Sequence, residues 1–417
     1  MPARSHLMRN LAFTLIATLS SILALDACAA GRPRTQLGGA ETRAGAEPEP
    51  PRRAETGEPS DAADPVAPDA AVAMGTDPAD PGVIGEPMAM GAEEASRGDA
   101  TQPAGGEGGS GLRALDAGER ATLEAIPHER ISAPGEFYYR SNEWRHDLLA
   151  SRLEGLGGAL VGVGSDQCYT LAAMAGSELI LAIDYDSRIA IVHRIYSVLV
   201  PLSETPAALI ARYAPEAEAE TLRSLAEGLE GDPLAPRALR MFQRLREDWH
   251  AYLGRVQRQT FAGRPGTWLA SEAYYAHIRL LFEQGRVVAR TGDVTAETTL
   301  RAAGRAAAQL GIPMRLLYFS NAEQFFRYTP AFRENLEALP SDARTLIVRT
   351  LRDANLANAE GDRWHYIVQD FTDFQERLST GAYPRLWAIL RDLLEAGAPH
   401  VGMELSTITN STPRARL

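Results

Sequence analysis

Short apolar runs alternate with amphipathic segments along the chain from about residue 115 onward. The runs predict strands at 159–163, 179–183, 287–289, 314–319, 345–348 and 364–368. The amphipathic segments predict helices at 167–175, 187–199, 269–284, 296–310 and from 372–376 onward. Such alternation implies right-handed crossovers onto a largely parallel sheet. We therefore expect an α/β fold, Rossmann-like, with a mostly parallel sheet flanked by helices.

Two stretches of the chain depart from this alternation. Residues 204–260 have helix-type composition without a strand candidate, so we expect a helical insertion there, within a domain over 115–417. Residues 29–114 contain 11 proline and 15 glycine residues and no aromatic residue. That composition offers too little apolar area to offset the chain entropy, so we expect a disordered linker rich in proline, glycine and glutamate.

The first 28 residues have the layout of a secretory signal. Arg4 and Arg9 precede a largely apolar run over residues 11–25, which is short for a membrane span. The following residues 25–28, Leu-Asp-Ala-Cys, resemble a bacterial lipobox, which implies lipidation of Cys28. We expect a lipid-anchored protein of the cell envelope, on the periplasmic or outer-membrane face, held to the membrane through this lipid. The alternatives are secretion after cleavage behind Ala29 and an uncleaved anchor.

Charge and cysteine content exclude some classes of function. The net charge is −12, and residues 29–114 carry 15 acidic residues against 7 arginines, so the remainder is nearly balanced. A nucleic-acid partner is therefore not expected, because it would need a basic face. Cys28 and Cys168 cannot form a disulfide framework. The histidines show no zinc-binding spacing, so no metal is expected. The oligomeric state is open.

A glycine turn after the first strand indicates a small-molecule site. Gly162 and Gly164 lead into a helix, and the second strand ends about 20 residues later at Asp184, with Asp186 behind it. In nucleotide-binding sheets such glycines admit the ligand and the acid binds ribose hydroxyls. Gln167 stands where a dinucleotide site wants a third glycine, so S-adenosylmethionine is favoured over a nicotinamide cofactor. Packing alone is the alternative explanation of the turn.

Two blocks of residues together resemble a known family. The first is Gly162-Val-Gly164-Ser-Asp166-Gln167-Cys-Tyr169-Thr, and the second is Tyr318-Phe-Ser320-Asn321-Ala-Glu323-Gln324-Phe. The pair is similar to an uncharacterised bacterial and plant family with a class I methyltransferase-like fold. The resemblance runs from about Arg140 to Val348. The resemblance implies the fold but no established activity. If the turn binds the adenosyl cofactor, Asp166 and Gln167 belong to the binding site together with Gly162 and Gly164.

The second block follows the fourth predicted strand, at the edge where open α/β sheets bind ligands. An amide such as that of Asn321 can both donate to and accept from a methyl acceptor, and Glu323 could act as a general base. Substrate-binding candidates are Tyr169, Ser320 and Gln324. Alternatively, Asn321 caps the next helix with Gln324 as the return partner of a capping box.

Two further features have structural explanations. Asp293, after the third predicted strand, could reach an adenine amino group, but Asp293 or Thr295 more simply caps the helix near residue 296. His193 and Tyr196 share a helix face with aliphatic residues, so we expect both at the core.

Three functions remain open from the sequence. The first is an S-adenosylmethionine-dependent methyltransferase with an unknown acceptor, the second a noncatalytic extracytoplasmic binding module, and the third a nicotinamide-dependent oxidoreductase. S-adenosylmethionine is made in the cytoplasm, so an export signal and an adenosyl site oppose each other.

Overall fold

The computed structural model describes residues 112–131, 138–353, 355–395 and 405–409, together with Thr412 and Arg414. The predicted signal, Cys28 and nearly all of the predicted linker lie outside these residues. Across the part of the chain that is described, no helix combines the length and the apolar character that a membrane span requires.

A seven-stranded sheet and a separate two-stranded hairpin contain the strands. In chain order they are β1 Ala159–Gly162, β2 Leu179–Asp184, β3 Thr260–Phe261, β4 Arg264–Pro265, β5 Val287–Thr291, β6 Met314–Ser320, β7 Leu346–Leu351, β8 His365–Asp370 and β9 Leu405–Ile408. The large sheet has the order β5-β2-β1-β6-β7-β8-β9, and β3 pairs with β4. All neighbours in the large sheet are parallel except β7 and β8.

Helices connect these strands and cover the sheet. They are α1 Ala117–Glu124, α2 Ala150–Leu153, α3 Gln167–Ala175, α4 Ser187–Leu199, α5 Pro206–Ala211, α6 Glu218–Gly228, α7 Ala235–Gln257, α8 Glu272–Glu283, α9 Thr299–Gln309, α10 Pro330–Glu337, α11 Phe371–Ser379 and α12 Leu386–Glu395. Three short 3-10 helices complete the described elements: His146–Leu149, Pro215–Ala217 and Ala322–Gln324.

The α/β class and the mostly parallel sheet are confirmed. Each of the six predicted strands has a counterpart, and α3 and α4 have the predicted bounds. The sequence pattern missed α1, α2, α10, α12, β9 and the β3-β4 hairpin, whose first residue, Thr260, ends the interval that was expected to contain no strand. It also placed no antiparallel neighbour in the sheet, because strand direction depends on the connection between strands and not on the apolar run itself.

Side chains alternate between the two faces of the sheet and form a core on each. Leu160, Ile180 and Leu316 pack with α3, α4 and α8 on one face. Val161, Leu181 and Leu317 pack with α9, α10 and α11 on the other. This two-residue period is that of an extended chain buried on both sides, which is why the strands appear as continuous apolar runs.

The interval 204–260 contains α5, α6 and α7. This helical insertion packs on α4 and contributes large aromatic side chains to the core on that face, including the buried Tyr213, Phe242 and Trp249. Trp268, which follows the β3-β4 hairpin, stacks on Tyr275 with 5.7 Å between the ring centroids. The insertion is therefore continuous with the main core.

Candidate functional site

The turn between β1 and α3 requires both of its glycines. Gly164 has φ +84, in the left-handed region that other residues rarely adopt, and a Cβ there would lie 2.1 Å from Gln167 Nε2. At Gly162 a Cβ would lie 3.0 Å from Cys168 Sγ and 3.3 Å from Tyr318 Cβ. Backbone conformation therefore selects glycine at position 164, and close packing selects glycine at position 162.

The backbone donors of this turn bond to the protein's own side chains. Gly164 N–H donates to Asp184 Oδ2 at 2.7 Å, which joins the ends of β1 and β2. Ser165 N–H donates to Gln167 Oε1 at 3.0 Å. A phosphate-binding turn uses such N–H groups for the ligand. Here they are already engaged by oxygen atoms.

Asp184 is the acid that the second strand presents at this edge. Its Oδ1 accepts a bond from Asp186 N–H at 2.8 Å, and its side chain is partly exposed. Since a carboxylate has about four acceptor positions, two remain after these backbone bonds. Burial raises the pKa of Asp184. Asp186 instead caps α4 by accepting from Arg188 N–H, and it pairs with the Arg188 guanidinium at 2.7 Å.

Asp166 points into the protein toward the region that follows α4. It is 2% exposed, and it accepts bonds from Tyr252 OH at 2.9 Å and from Trp268 Nε1–H at 3.3 Å. Burial raises the pKa of its carboxyl, although these donors oppose the effect. Asp166 therefore ties the glycine turn to α7 and to the segment after the hairpin.

Tyr169 and His193 support the same turn from the core. Tyr169 is fully buried, and its hydroxyl lies 2.5 Å from His193 Nδ1. The other ring nitrogen, Nε2, lies 3.0 Å from Gly164 O. Tyr169 thus faces core aromatic rings and His193, whereas the sequence had made it a substrate-binding candidate. His193 and Tyr196 are both buried, as expected.

A buried carboxylate, Glu143, lies where β1, β6 and β7 end. It accepts bonds from Ser320 Oγ at 2.5 Å, Tyr318 OH at 2.7 Å and Thr350 Oγ1 at 2.8 Å, and His146 Nε2 lies 3.3 Å away. Burial alone would raise the pKa of Glu143, but the neighbouring His146 and the bonds from Ser320 and Tyr318 lower it. Glu143 is therefore an anion at the centre of the carboxyl edge of the sheet.

Sequence reasoning did not find Glu143. The residue lies in an irregular segment ahead of β1, without periodicity or a motif around it. Its partners are 175 to 207 residues away along the chain. The one available signal was the position of Ser320 at the end of the fourth strand.

Ser320 has an unusual backbone conformation at the end of β6. Its φ is +49, one of two positive values among the described non-glycine residues, and the pairing with β7 is irregular between Tyr318 and Ser320. Left-handed conformation costs a non-glycine residue about 1 kcal/mol or more, and such strain concentrates at functional sites. Ser320 remains partly exposed.

The rest of the second block forms the 3-10 helix Ala322–Gln324. Glu323 is buried, accepts a bond from Tyr328 OH at 2.8 Å and forms an ion pair with the buried Arg349. Asn321 and Gln324 are partly exposed. The capping interpretation of Asn321 was wrong: its side chain caps no helix, and the next α-helix, α10, is capped by Thr329.

Asp293 lies in the turn between β5 and α9. Its Oδ1 accepts bonds from Thr295 N–H at 2.8 Å and Thr295 Oγ1 at 2.6 Å. The helix begins at Thr299, whose N–H donates to Glu129 at 2.9 Å, so the predicted cap by Asp293 or Thr295 was wrong. Glu129, from the segment before β1, caps the helix instead, and its other carboxylate oxygen accepts a bond from Asp293 N–H.

The site is acidic as a whole. Burial raises the pKa of the Cys168 thiol most, and the negative charges of Asp184, Asp166 and Glu143 raise this pKa further. Within the described ranges, none of the three forms an ion pair with an arginine.

The match to a family model covers residues 138–404, and that model is described as a domain of unknown function, DUF7790. The chain belongs to this family. No curated protein matches the sequence. The matched residues include the glycine turn, Glu143, the block after β6 and the helical insertion.

Proposed function

We propose that this DUF7790 domain binds S-adenosylmethionine, or its demethylated product, at the carboxyl edge of the sheet over the end of β1, between the ends of β2 and β6. The observation that carries the proposal is the bond from Gly164 N–H to Asp184. It engages the Gly164 N–H that a phosphate would use, as Gln167 engages the Ser165 N–H, while Asp184 keeps acceptor positions for ribose hydroxyls.

The charge of the site supports the same choice of ligand. A nicotinamide dinucleotide carries two negative charges on its pyrophosphate, and these would approach Asp166, Asp184 and Glu143, none of which forms an ion pair with an arginine among the described residues. S-adenosylmethionine carries no phosphate and has a positive sulfonium. The acidic turn therefore favours the adenosyl ligand over the nicotinamide cofactor.

The order of the central strands supports this position for the ligand. In open α/β sheets a ligand binds where the strand order reverses, outside the carboxyl ends of the strands. Here the chain runs from β1 outward to β2 and β5, and then returns to the other side of β1 with β6 and β7. The reversal point lies between β1 and β6, next to the glycine turn. This topology supports a Rossmann-like arrangement of the class I methyltransferase type.

Methyl transfer requires an acceptor group near the end of β6. Of the two residues proposed as catalytic, Asn321 is partly exposed and accessible to an acceptor. Glu323 is buried in its ion pair with Arg349, which leaves it poorly placed as a general base. This observation favours the second candidate, a noncatalytic module that binds the ligand without transferring its methyl group.

The cellular location bears on the same choice. We propose, from the sequence of residues 1–28, that Cys28 anchors the protein in the cell envelope, with secretion as the alternative. A domain exported in this way would not normally meet S-adenosylmethionine, so an envelope location favours the binding module.

Calorimetric titration of the full-length protein tests the proposal. S-adenosylmethionine or S-adenosylhomocysteine should bind at micromolar concentration, about −8 kcal/mol at 1 μM, and NAD should give no heat. Asp184→Ala should weaken binding about tenfold or more, because charge-assisted hydrogen bonds are lost. Glu178→Gln is the matched control, since Glu178 lies at the opposite edge of the sheet and bonds to Gly158 N–H. Absence of heat with both adenosyl compounds, in protein shown to be folded by circular dichroism, would refute the proposal.

A further inference from the structure

Glu143 accepts hydrogen bonds from three hydroxyl groups at the carboxyl edge of the sheet. Tyr318, Ser320 and Thr350 each donate to its carboxylate, at 2.7, 2.5 and 2.8 Å. Tyr318 and Thr350 are fully buried, whereas Ser320 is partly exposed. Ser320 is therefore the member of this cluster through which the buried charge can act on a ligand.

The bond to Glu143 determines what Ser320 can offer a ligand. A serine hydroxyl has one proton and two acceptor lone pairs. Its proton is directed to Glu143 Oε1, so the exposed side of Ser320 Oγ presents acceptor lone pairs. A hydrogen bond to an ionised acceptor is stronger than one to a neutral acceptor. Donating such a bond to Glu143 increases the negative character of Ser320 Oγ. Ser320 Oγ is thus suited to a cation or a hydrogen-bond donor.

The position of Ser320 places this acceptor beside the glycine turn. Tyr318 pairs with Gly162 in the sheet, and Val163 N–H donates to Tyr318 O at 3.0 Å. Ser320 lies two residues further along the same strand, past the end of β1. The positive φ of Ser320 ends the regular strand there and is retained despite its cost.

We infer that Glu143, acting through Ser320, is a positioning residue that selects a ligand with a positive charge at the reversal point between β1 and β6. The inference rests on the proposed adenosyl site and specifies it further: the bound form is the cationic sulfonium compound S-adenosylmethionine, not the neutral thioether S-adenosylhomocysteine. The two compounds differ only in the methyl group and the positive charge on sulfur.

Titration of the full-length protein with both compounds tests this selectivity. The unmodified protein should bind S-adenosylmethionine about tenfold more tightly than S-adenosylhomocysteine, which is the size of one charge-assisted hydrogen bond. Glu143→Gln should bring the two affinities to within about twofold by weakening S-adenosylmethionine alone. Glu178→Gln, which removes a carboxylate at the opposite edge, should keep the selectivity of the unmodified protein.

A second variant separates selectivity from folding. Ser320→Gly removes the exposed acceptor. It also removes the steric cost of the positive φ, which glycine adopts freely, so this variant should fold even if Glu143→Gln does not. It should reduce the selectivity at least about threefold, because the affinity for S-adenosylmethionine falls more than the affinity for S-adenosylhomocysteine.

The possible failures of the two proposals are distinct. Equal or tighter binding of S-adenosylhomocysteine by the unmodified protein would overturn the inference and leave the adenosyl site standing. Unchanged selectivity in Ser320→Gly would overturn it as well. Absence of binding by either compound would refute the adenosyl site and the inference together.

Discussion

His193 holds the glycine turn in place through one defined tautomer. Gly164 O can only accept a hydrogen bond, so the proton resides on His193 Nε2, and Nδ1 accepts from Tyr169 OH. Burial lowers the pKa of His193 to about 4, so the ring is neutral near pH 7. The helix periodicity predicted that His193 is buried, but it could not identify Gly164 as its partner, because the two residues lie on different elements.

The pH dependence of stability should carry the signature of His193. Its folded-state pKa lies below the unfolded value of about 6.5, so the unfolded chain binds the extra proton as the pH falls. From pH 7 to pH 4 the unmodified protein should lose about 3 kcal/mol more of unfolding free energy than His193→Gln, whose amide can still donate to Gly164 O. Urea denaturation at several pH values measures this difference. If the unfolding free energies of the two proteins had the same pH dependence, the pKa of His193 would not be lowered in the folded protein.

Buried charged groups connect the block after β6 to the C-terminal elements. Arg349 on β7 pairs with Glu323 and donates to Gln369 Oε1 on β8 at 2.6 Å. Gln369 donates to Asp373 on α11 at 2.6 Å, and Asp373 pairs with Arg377 at 2.8 Å. This buried network of ion pairs and hydrogen bonds, Glu323-Arg349-Gln369-Asp373-Arg377, explains why two strand predictions ended too early.

The predicted strands stopped at residues 348 and 368 because a polar residue follows each apolar run. In the structure β7 continues through Arg349 and β8 continues through Gln369. The two side chains bond to each other, and each also has a further buried partner, Glu323 for Arg349 and Asp373 for Gln369. Apolar periodicity predicts where a strand begins. It does not predict a buried network of ion pairs and hydrogen bonds, because that network joins elements far apart in sequence.

A double-mutant cycle at Glu323 and Arg349 should show strong coupling. Arg349→Met leaves the Glu323 charge buried and unpaired, which should cost about 3–5 kcal/mol of unfolding free energy. Adding Glu323→Gln should recover more than half of that cost. Arg279→Met is the control, because Arg279 pairs with Glu283 at the surface and should contribute about 0.5 kcal/mol or less. Additive effects of the two buried substitutions in urea denaturation would contradict this coupling.

The whole molecule brings the carboxyl groups of Glu143, Asp166 and Asp184 to the carboxyl edge of the sheet. The sequence predicted the α/β class, the glycine turn and the neighbourhood of β1 and β6, because each rests on a local pattern. It did not predict the tie between Asp166 and Tyr252 or the position of β9 beyond β8, since these depend on packing between segments that are distant in sequence.

Metabolic labelling tests the proposed membrane anchor. If Cys28 is lipidated, radiolabelled palmitate should enter the protein and the product should sediment with membranes. Cys28→Ser should abolish both results without altering the unfolding of the described domain. Cys168→Ser is the matched control, because Cys168 is buried in the core. Equal labelling of the unmodified protein and Cys28→Ser would rule the anchor out.

Hydrogen–deuterium exchange with and without S-adenosylmethionine tests the ligand site most directly. At saturating ligand, amides in peptides covering residues 162–169 and 184–188 should exchange more slowly, because a ligand that lies over the end of β1 and reaches Asp184 covers both turns. Peptides of α1 and α9, on the opposite face of the sheet, should not change. Unchanged exchange at both turns, or slower exchange confined to α1 and α9, would contradict an adenosyl site at the carboxyl edge.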